Sequence, residues 1–257
     1  MVFSPSANRI LSNDLISLRA KMAHEQRTRG SALAFGLSAV DDRLADRGLA
    51  NDGLHEIVPA SVKLNDDAAA TMFVAGIAAR FAAKPGVTVL WALSYFDLYG
   101  PGLEQVGLGP NCVMYAQGRR DREVLAMAED GLRDGALACV VAEVKSADRT
   151  ATRRLQLAAS DGRTPMLLLR RHRSRGRCPL DEPSSAMTRW RIGSVSSAPL
   201  SHAGVARARW SVELVRQRNG APFSCILEAC DDKGCLALPA ATADRAVTDN
   251  GTASKAA

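Results

Sequence analysis

The sequence predicts an α/β protein with a mostly parallel central sheet, helices on both faces and an antiparallel hairpin at one edge. Three observations carry that expectation. Five near-continuous apolar runs alternate with helical patterns, which is how strands buried on both faces read. Hydrophobic residues make up 47% of the chain while aromatics supply only 5%, and alanine dominates, a balance that favours helix-rich α/β construction over an all-β sandwich. Beyond Met187 the pattern changes to alternation in period two, from Arg189 to Glu228, with a turn signal at Asn219-Gly220.

The first of these units organises the rest. Leu54 to Pro59 is a short apolar strand, a polar turn follows, and a long Ala-rich helix runs to Phe81. Strand, phosphate-gripping loop and helix is the opening unit of a P-loop domain, whose turn reads G-x-x-x-x-G-K-[ST]. Here the turn is PASVKLNDDA, and no glycine occurs between Gly53 and Gly76. Laid over a P-loop from Pro59, Asn65 falls where the lysine belongs and Asp66 where the metal-binding Ser or Thr belongs. Lys63 is the one cation in the turn, two positions early. A phosphate cradle works through free backbone N–H groups and a positive lysine, whereas Asp66 and Asp67 present carboxylates that repel phosphate. The Asp pair therefore reads as helix N-capping, and the unit as a degenerate P-loop.

The remaining elements follow in order. Ala7 to Arg27 carries Ile10, Leu11, Leu15, Leu18 and Met22 at helical spacing and predicts a helical extension over residues 1–31. Phe35, Leu37, Val40 and Leu44 line a short helix begun near Ser38. After the Ala-rich helix come strands at Val87 to Ser94, Cys112 to Gln117, Leu137 to Val144 and Pro165 to Leu169. Between them lie helices at Leu103 to Val106, Arg122 to Arg133 and Thr150 to Ala159. From Ala240 the tail is poor in apolar residues and reads as disordered. The main domain thus spans residues 32–239.

At 257 residues the chain is long enough to bury a full core. No apolar run reaches the roughly 20 residues that cross a bilayer, and the N-terminus lacks the charged start and apolar core of a signal peptide; the expectation is a cytoplasmic protein with no membrane partner. The six cysteines, at 112, 139, 178, 225, 230 and 235, form no C-x-x-C pair and read as reduced thiols; no metal site is expected. The four histidines, at 24, 55, 172 and 202, are isolated, and no catalytic constellation emerges.

Charge is polarised. The net charge is +6, but Lys145 to Gly220 holds sixteen Lys or Arg against five Asp or Glu, fifteen of the sixteen being arginine. Arg170, Arg171, Arg173, Arg175 and Arg177 fall within eight residues after the fifth strand. That run reads as a solvated loop, as one that contacts nucleic-acid phosphates, or as one that meets an acidic partner surface.

Taken together the pieces resemble the RecA superfamily core. FGLSAVDDRL before GLHEI is similar to the segment that enters the P-loop of RecA-like ATPases. A narrower resemblance rests on Leu54-His55-Glu56, LWALSYFDLYGPGLEQVGLGP, GALACVVAEV, TATRRLQLAA, LLLRRHR, TRWRI and RWSVELVRQRNGAPFSCILE, which look like the ImuA family. It covers roughly Ala32 to Leu238. ImuA proteins are RecA-like accessory proteins of bacterial mutasomes. The resemblance implies a role in translesion synthesis induced by DNA damage through the SOS response, with ImuB and a DnaE-type polymerase as partners and RecA and DNA as further candidates. It also implies a location on the nucleoid after damage.

The RecA pattern expects a Walker B strand that ends in an Asp; LACVVAEV offers Glu143 there. Without the P-loop lysine and hydroxyl, Glu143 has no Mg-ATP to serve, so the expectation is a non-enzymatic adaptor with no cofactor. Two alternatives stand beside it: a divergent DNA-dependent ATPase, and a cell-division inhibitor of the SulA type, a RecA relative that also lacks the P-loop.

Overall fold

A two-stranded antiparallel ribbon, β1 (Ala32–Leu33) with β2 (Leu49–Ala50), brackets the short helix α1 (Ser38–Asp41) and delivers the chain into the main sheet. The computed structural model describes residues 32–172, 176–197 and 204–239; the expected N-terminal helix and C-terminal tail lie outside them. Asp41 organises this entry segment, since its carboxylate accepts hydrogen bonds from the backbone N–H groups of Phe35, Gly36 and Leu37.

The main sheet has eight strands. Along the chain they are β3 (Leu54–Pro59), β4 (Val89–Leu93), β5 (Val113–Gln117), β6 (Cys139–Val144), β7 (Met166–Arg170), β8 (Thr188–Val195), β9 (Arg209–Gln217) and β10 (Phe223–Glu228). Their spatial order is β10-β9-β8-β3-β7-β6-β4-β5. The six from β8 to β5 are mutually parallel, and β9 and β10 close one edge as an antiparallel pair. All five strands expected from apolar runs are present. One correction concerns β8. Its period-two pattern reads from sequence as part of the antiparallel edge, yet it pairs parallel with β3 and antiparallel only with β9. Alternation reports a pleated strand, not the direction of its neighbour.

Helices cover both faces. The main ones are α2 (Leu64–Phe81), α4 (Asp121–Asp134) and α5 (Arg149–Gly162), with the short α3 (Gly100–Gln105) after β4. The step from β3 to β4 runs along the sheet in one direction, and the steps from β5 to β6 and β6 to β7 run back. Right-handed crossovers therefore place α2 on one face and α4 with α5 on the other.

The α2 face carries the larger core. Phe73, Val74 and Ile77 of α2 pack on Ile57, Val141, Leu167, Leu169 and Trp190. Phe35, Phe73, Trp190, Trp210 and Phe223 form a contiguous aromatic cluster with ring centroids 5.8–6.3 Å apart. Burying each such ring contributes about 2–3 kcal/mol. The helix is alanine-rich because it is covered on its outer side too: a Cβ at Gly76 would collide with Cys230 Sγ. That surrounding pushes the Cys230 thiol up to about 12 by burial. On the second face, Val124, Leu132 and Leu155 pack on Leu54, Leu90, Val140 and Leu168. There Gly162 lets α5 approach α4 so closely that a Cβ would strike the Leu132 carbonyl.

A chain of hydrogen bonds runs through the start of the sheet. His55 is buried, with Nε2 2.9 Å from the Ala50 carbonyl and Nδ1 2.7 Å from Thr188 Oγ1. Trp190 Nε1 donates to the same Thr188 oxygen at 2.7 Å. Burial lowers the His55 pKa to about 4, against the smaller opposing effects of the Ala50 carbonyl and of Asp52 and Asp46. The neutral imidazole then donates from Nε2 and accepts at Nδ1.

Candidate functional site at the carboxyl edge of the sheet

In an open α/β sheet, ligands bind outside the carboxyl ends of the parallel strands. Here that edge is built around two consecutive arginines. Successive side chains of a strand point to opposite faces, so Leu168 joins the α4–α5 core while Leu167 and Leu169 join the α2 core. The same alternation carries Arg170 to the α4–α5 side and Arg171 to the α2 side.

Arg171 is bound by three carboxylates. Its Nε donates to Glu143 Oε1 at 2.7 Å, Nη1 to Asp67 Oδ2 at 2.5 Å, and Nη2 approaches Asp97 Oδ1 at 3.4 Å. These reach it from the end of β6, the first turns of α2 and the loop after β4. Trp91 Nε1 lies 3.4 Å from the second Glu143 oxygen. Burial opposes the charge on Arg171, but its hydrogen bond to Glu143 and the fields of Glu143, Asp67 and Asp97 outweigh it. The pKa is raised and the guanidinium stays charged.

Arg170 sits on the opposite face, 1% exposed, between Glu56 (Nη1 to Oε1, 3.2 Å) and Glu182 (Nη2 to Oε2, 2.6 Å). Glu56 is wholly buried and is shared with Arg189, whose Nε donates to Glu56 Oε2 at 2.8 Å. The two guanidinium groups also donate to the Pro179 and Leu180 carbonyls, which ties the segment after β7 back onto the sheet. A buried carboxylate without a partner costs several kcal/mol, and here Glu56, Glu143 and Asp67 each have an arginine.

These contacts correct two expectations. Arg170 and Arg171 do not belong to an exposed arginine loop. They continue β7 and its alternation into the interior, where the acidic residues of the neighbouring strands hold them. Arg173 and Arg175 lie outside the described residues, and Arg177 is exposed. The second correction concerns the Asp pair, which does not cap α2. The N-cap residue is Lys63, with no side-chain cap. Asp66 accepts hydrogen bonds from the Ser194 N–H at 2.8 Å and from Ser61 Oγ, pinning the helix start to β8. Asp67 goes to Arg171. The position of both carboxylates in the first turns still suits the helix dipole. Lys63 and Asn65 are exposed on the turn and the first turn of α2.

The sequence did hold a signal for these pairs. Glu56 and Glu143 each sit inside an otherwise apolar strand, and a carboxylate in such a place demands a cationic partner. Around the Arg171 network the surface turns apolar: Leu64, Tyr95, Phe96 and Tyr99 are all exposed. A cavity of about 390 Å³ opens beside Leu64 and Tyr99, with Asp67 and Arg171 in its wall next to Met72 and Leu103. Among the described residues no three His, Cys, Asp or Glu side chains group as a metal site, and no helix is long and apolar enough to cross a membrane.

The chain is 34% identical over 208 residues to Protein ImuA of Caulobacter vibrioides, a match that spans 79% of this chain and 85% of the relative, and the same holds in two strains of that organism. The chain belongs to the ImuA family. No family model matches it. A solved structure of SulA from Pseudomonas aeruginosa is similar over 46% of this chain and 98% of that one, at 21% identity and a TM-score of 0.39. In this ImuA-family chain, the edge where an α/β sheet receives its ligand is thus occupied by a protein-internal ion-pair network with an apolar rim.

Proposed function

We propose that this chain is a non-catalytic, RecA-like accessory protein of an ImuA/ImuB mutasome, an adaptor that links ImuB, the DnaE-type polymerase, RecA and DNA during damage-induced translesion synthesis. One observation carries the non-catalytic part. Phosphoryl transfer needs a lysine on the phosphates, a hydroxyl on Mg²⁺ and a carboxylate free to serve the metal. At the corresponding positions this chain has Asn65, Asp66 and a Glu143 already engaged by Arg171. The arginine and its three carboxylates take the place of the ligand's charges and supply no cradle of N–H groups for a phosphate.

The adaptor part is supported by family membership and by the rim of the same edge. Exposed aromatic and aliphatic side chains that cluster around a cavity are what protein contacts use as anchors. The test is affinity capture of the tagged chain from cells treated with a DNA-damaging agent. Wild type is expected to recover ImuB and RecA, and a Leu64→Ser, Tyr99→Ser double variant to recover at least one of them less. Capture of neither by the folded wild-type chain contradicts the adaptor reading.

A further inference from the structure

A second cavity, of about 430 Å³, lies on the α4–α5 side of the molecule, away from the Arg171 network. It is lined by Arg149 at the start of α5, by Pro183, Ser184 and Ser185, by Arg189 of β8, and by Arg216, Gln217 and Arg218 at the end of β9. Four guanidinium groups from three separated stretches of sequence therefore converge on one concave surface. One of the four, Arg189, is already paired with a carboxylate, Glu56. Glu56 is shared by Arg170 and Arg189, Glu182 is paired with Arg170, and Asp148 caps α5 through the Ala151 N–H. Among the described residues no carboxylate is paired with Arg149, Arg216 or Arg218. Arg216 is held in place by backbone carbonyls instead, at 2.9 Å from Ala186 and 3.1 Å from Ser184.

We propose that this arginine-lined cavity is a phosphate-binding site that takes the backbone of single-stranded nucleic acid. Like charges gathered in one hollow raise each other's energy. The Arg216 pKa is lowered first by burial and then by Arg189 and Arg218, against the smaller opposing effect of Glu56. An anion seated among them relieves that repulsion. Guanidinium forks match the several acceptor oxygens of a phosphate, and the hydroxyls of Ser184 and Ser185 add donors at the same wall. Backbone contacts of this kind fix position without reading sequence. The choice of nucleic acid as the source of the phosphate rests on the adaptor reading above, while the site itself stands on its own residues. It also moves the expected phosphate contacts away from Arg170 and Arg171, which are buried.

The experiment is a fluorescence titration of the full chain with a labelled single-stranded oligonucleotide at two salt concentrations, with tripolyphosphate as competitor. The variants are Arg149→Ser with Arg218→Ser, neither of which makes a buried contact, and separately Arg177→Ser. Wild type is expected to bind, and the Arg149, Arg218 double variant to bind on the order of tenfold more weakly, with a salt slope smaller by roughly 1.4. Arg177→Ser is expected to change little. Binding of tripolyphosphate alone, lost in the double variant, supports the site with a small polyphosphate as its occupant. Failure of wild type to bind either probe, or unchanged affinity and slope in the double variant, overturns the proposal. Because these variants leave the Leu64–Tyr99 rim untouched, retained partner capture separates this failure from that of the adaptor reading.

Discussion

His55 shows how a single buried side chain ties the fold to pH. Its imidazole is neutral between the Ala50 carbonyl and Thr188, and its pKa of about 4 lies below the 6.5 it has when solvated. Between those values the unfolded chain takes up a proton that the folded chain refuses. Stability from this group is therefore fully present above about pH 6.5 and is lost as pH falls toward 4, on the order of 3 kcal/mol in all. The expected outcome is a midpoint of urea unfolding that drops between pH 7 and pH 4.5, with the drop clearly reduced in His55→Gln. A His55→Gln chain with the same pH dependence as wild type removes this residue from the account. From the sequence His55 is one of four isolated histidines, within the apolar strand Leu54 to Pro59. The sequence could not place Thr188, 133 positions away, beneath the His55 Nδ1.

At the scale of elements, β7 is where reading from sequence went furthest wrong, and the reason is physical. Arg170 and Arg171 open a run of arginines, and a run of like charge looks solvated from end to end. The first two members instead obey strand alternation, because Glu56 and Glu143 on the neighbouring strands need counter-charges on opposite faces. The strands themselves were legible because each is a continuous apolar run. The direction of β8 was not, since periodicity carries no direction. The hairpin turn was legible as to place, but its left-handed residue is Asn219, with φ of 63°, while Gly220 gives room to the Gln217 amide. Arg171 joins β7, β6 and α2, so removing it strands Asp67 and Glu143 together. Arg171→Met is expected to destabilise the fold by about 3–5 kcal/mol in denaturant titration. Adding Glu143→Gln and Asp67→Asn is expected to restore part of that loss. An Arg171→Met chain within 1 kcal/mol of wild type contradicts the claim that the network is a paired, buried unit.

For the whole molecule, the two faces of the sheet differ in their surface chemistry. The α2 side closes the carboxyl edge with ion pairs and exposes an apolar rim. The α4–α5 side gathers arginines around an open hollow. The basic surplus between Lys145 and Gly220 is thus spent in two ways, partly on internal pairs and partly on the surface, a split that composition does not reveal. Family membership was legible from stretches spread over most of the chain. That the turn after β3 lacks a lysine at the P-loop position and any glycine is read straight from the sequence. That Asp67 beside it meets an arginine from a strand more than a hundred residues away needed the structure. If this network stands in place of a nucleotide, the carboxyl edge is closed to Mg-ATP. Titration calorimetry of the full chain with millimolar Mg-ATP then shows no saturable heat, whereas a saturable site that is abolished by Glu143→Gln contradicts the substitution.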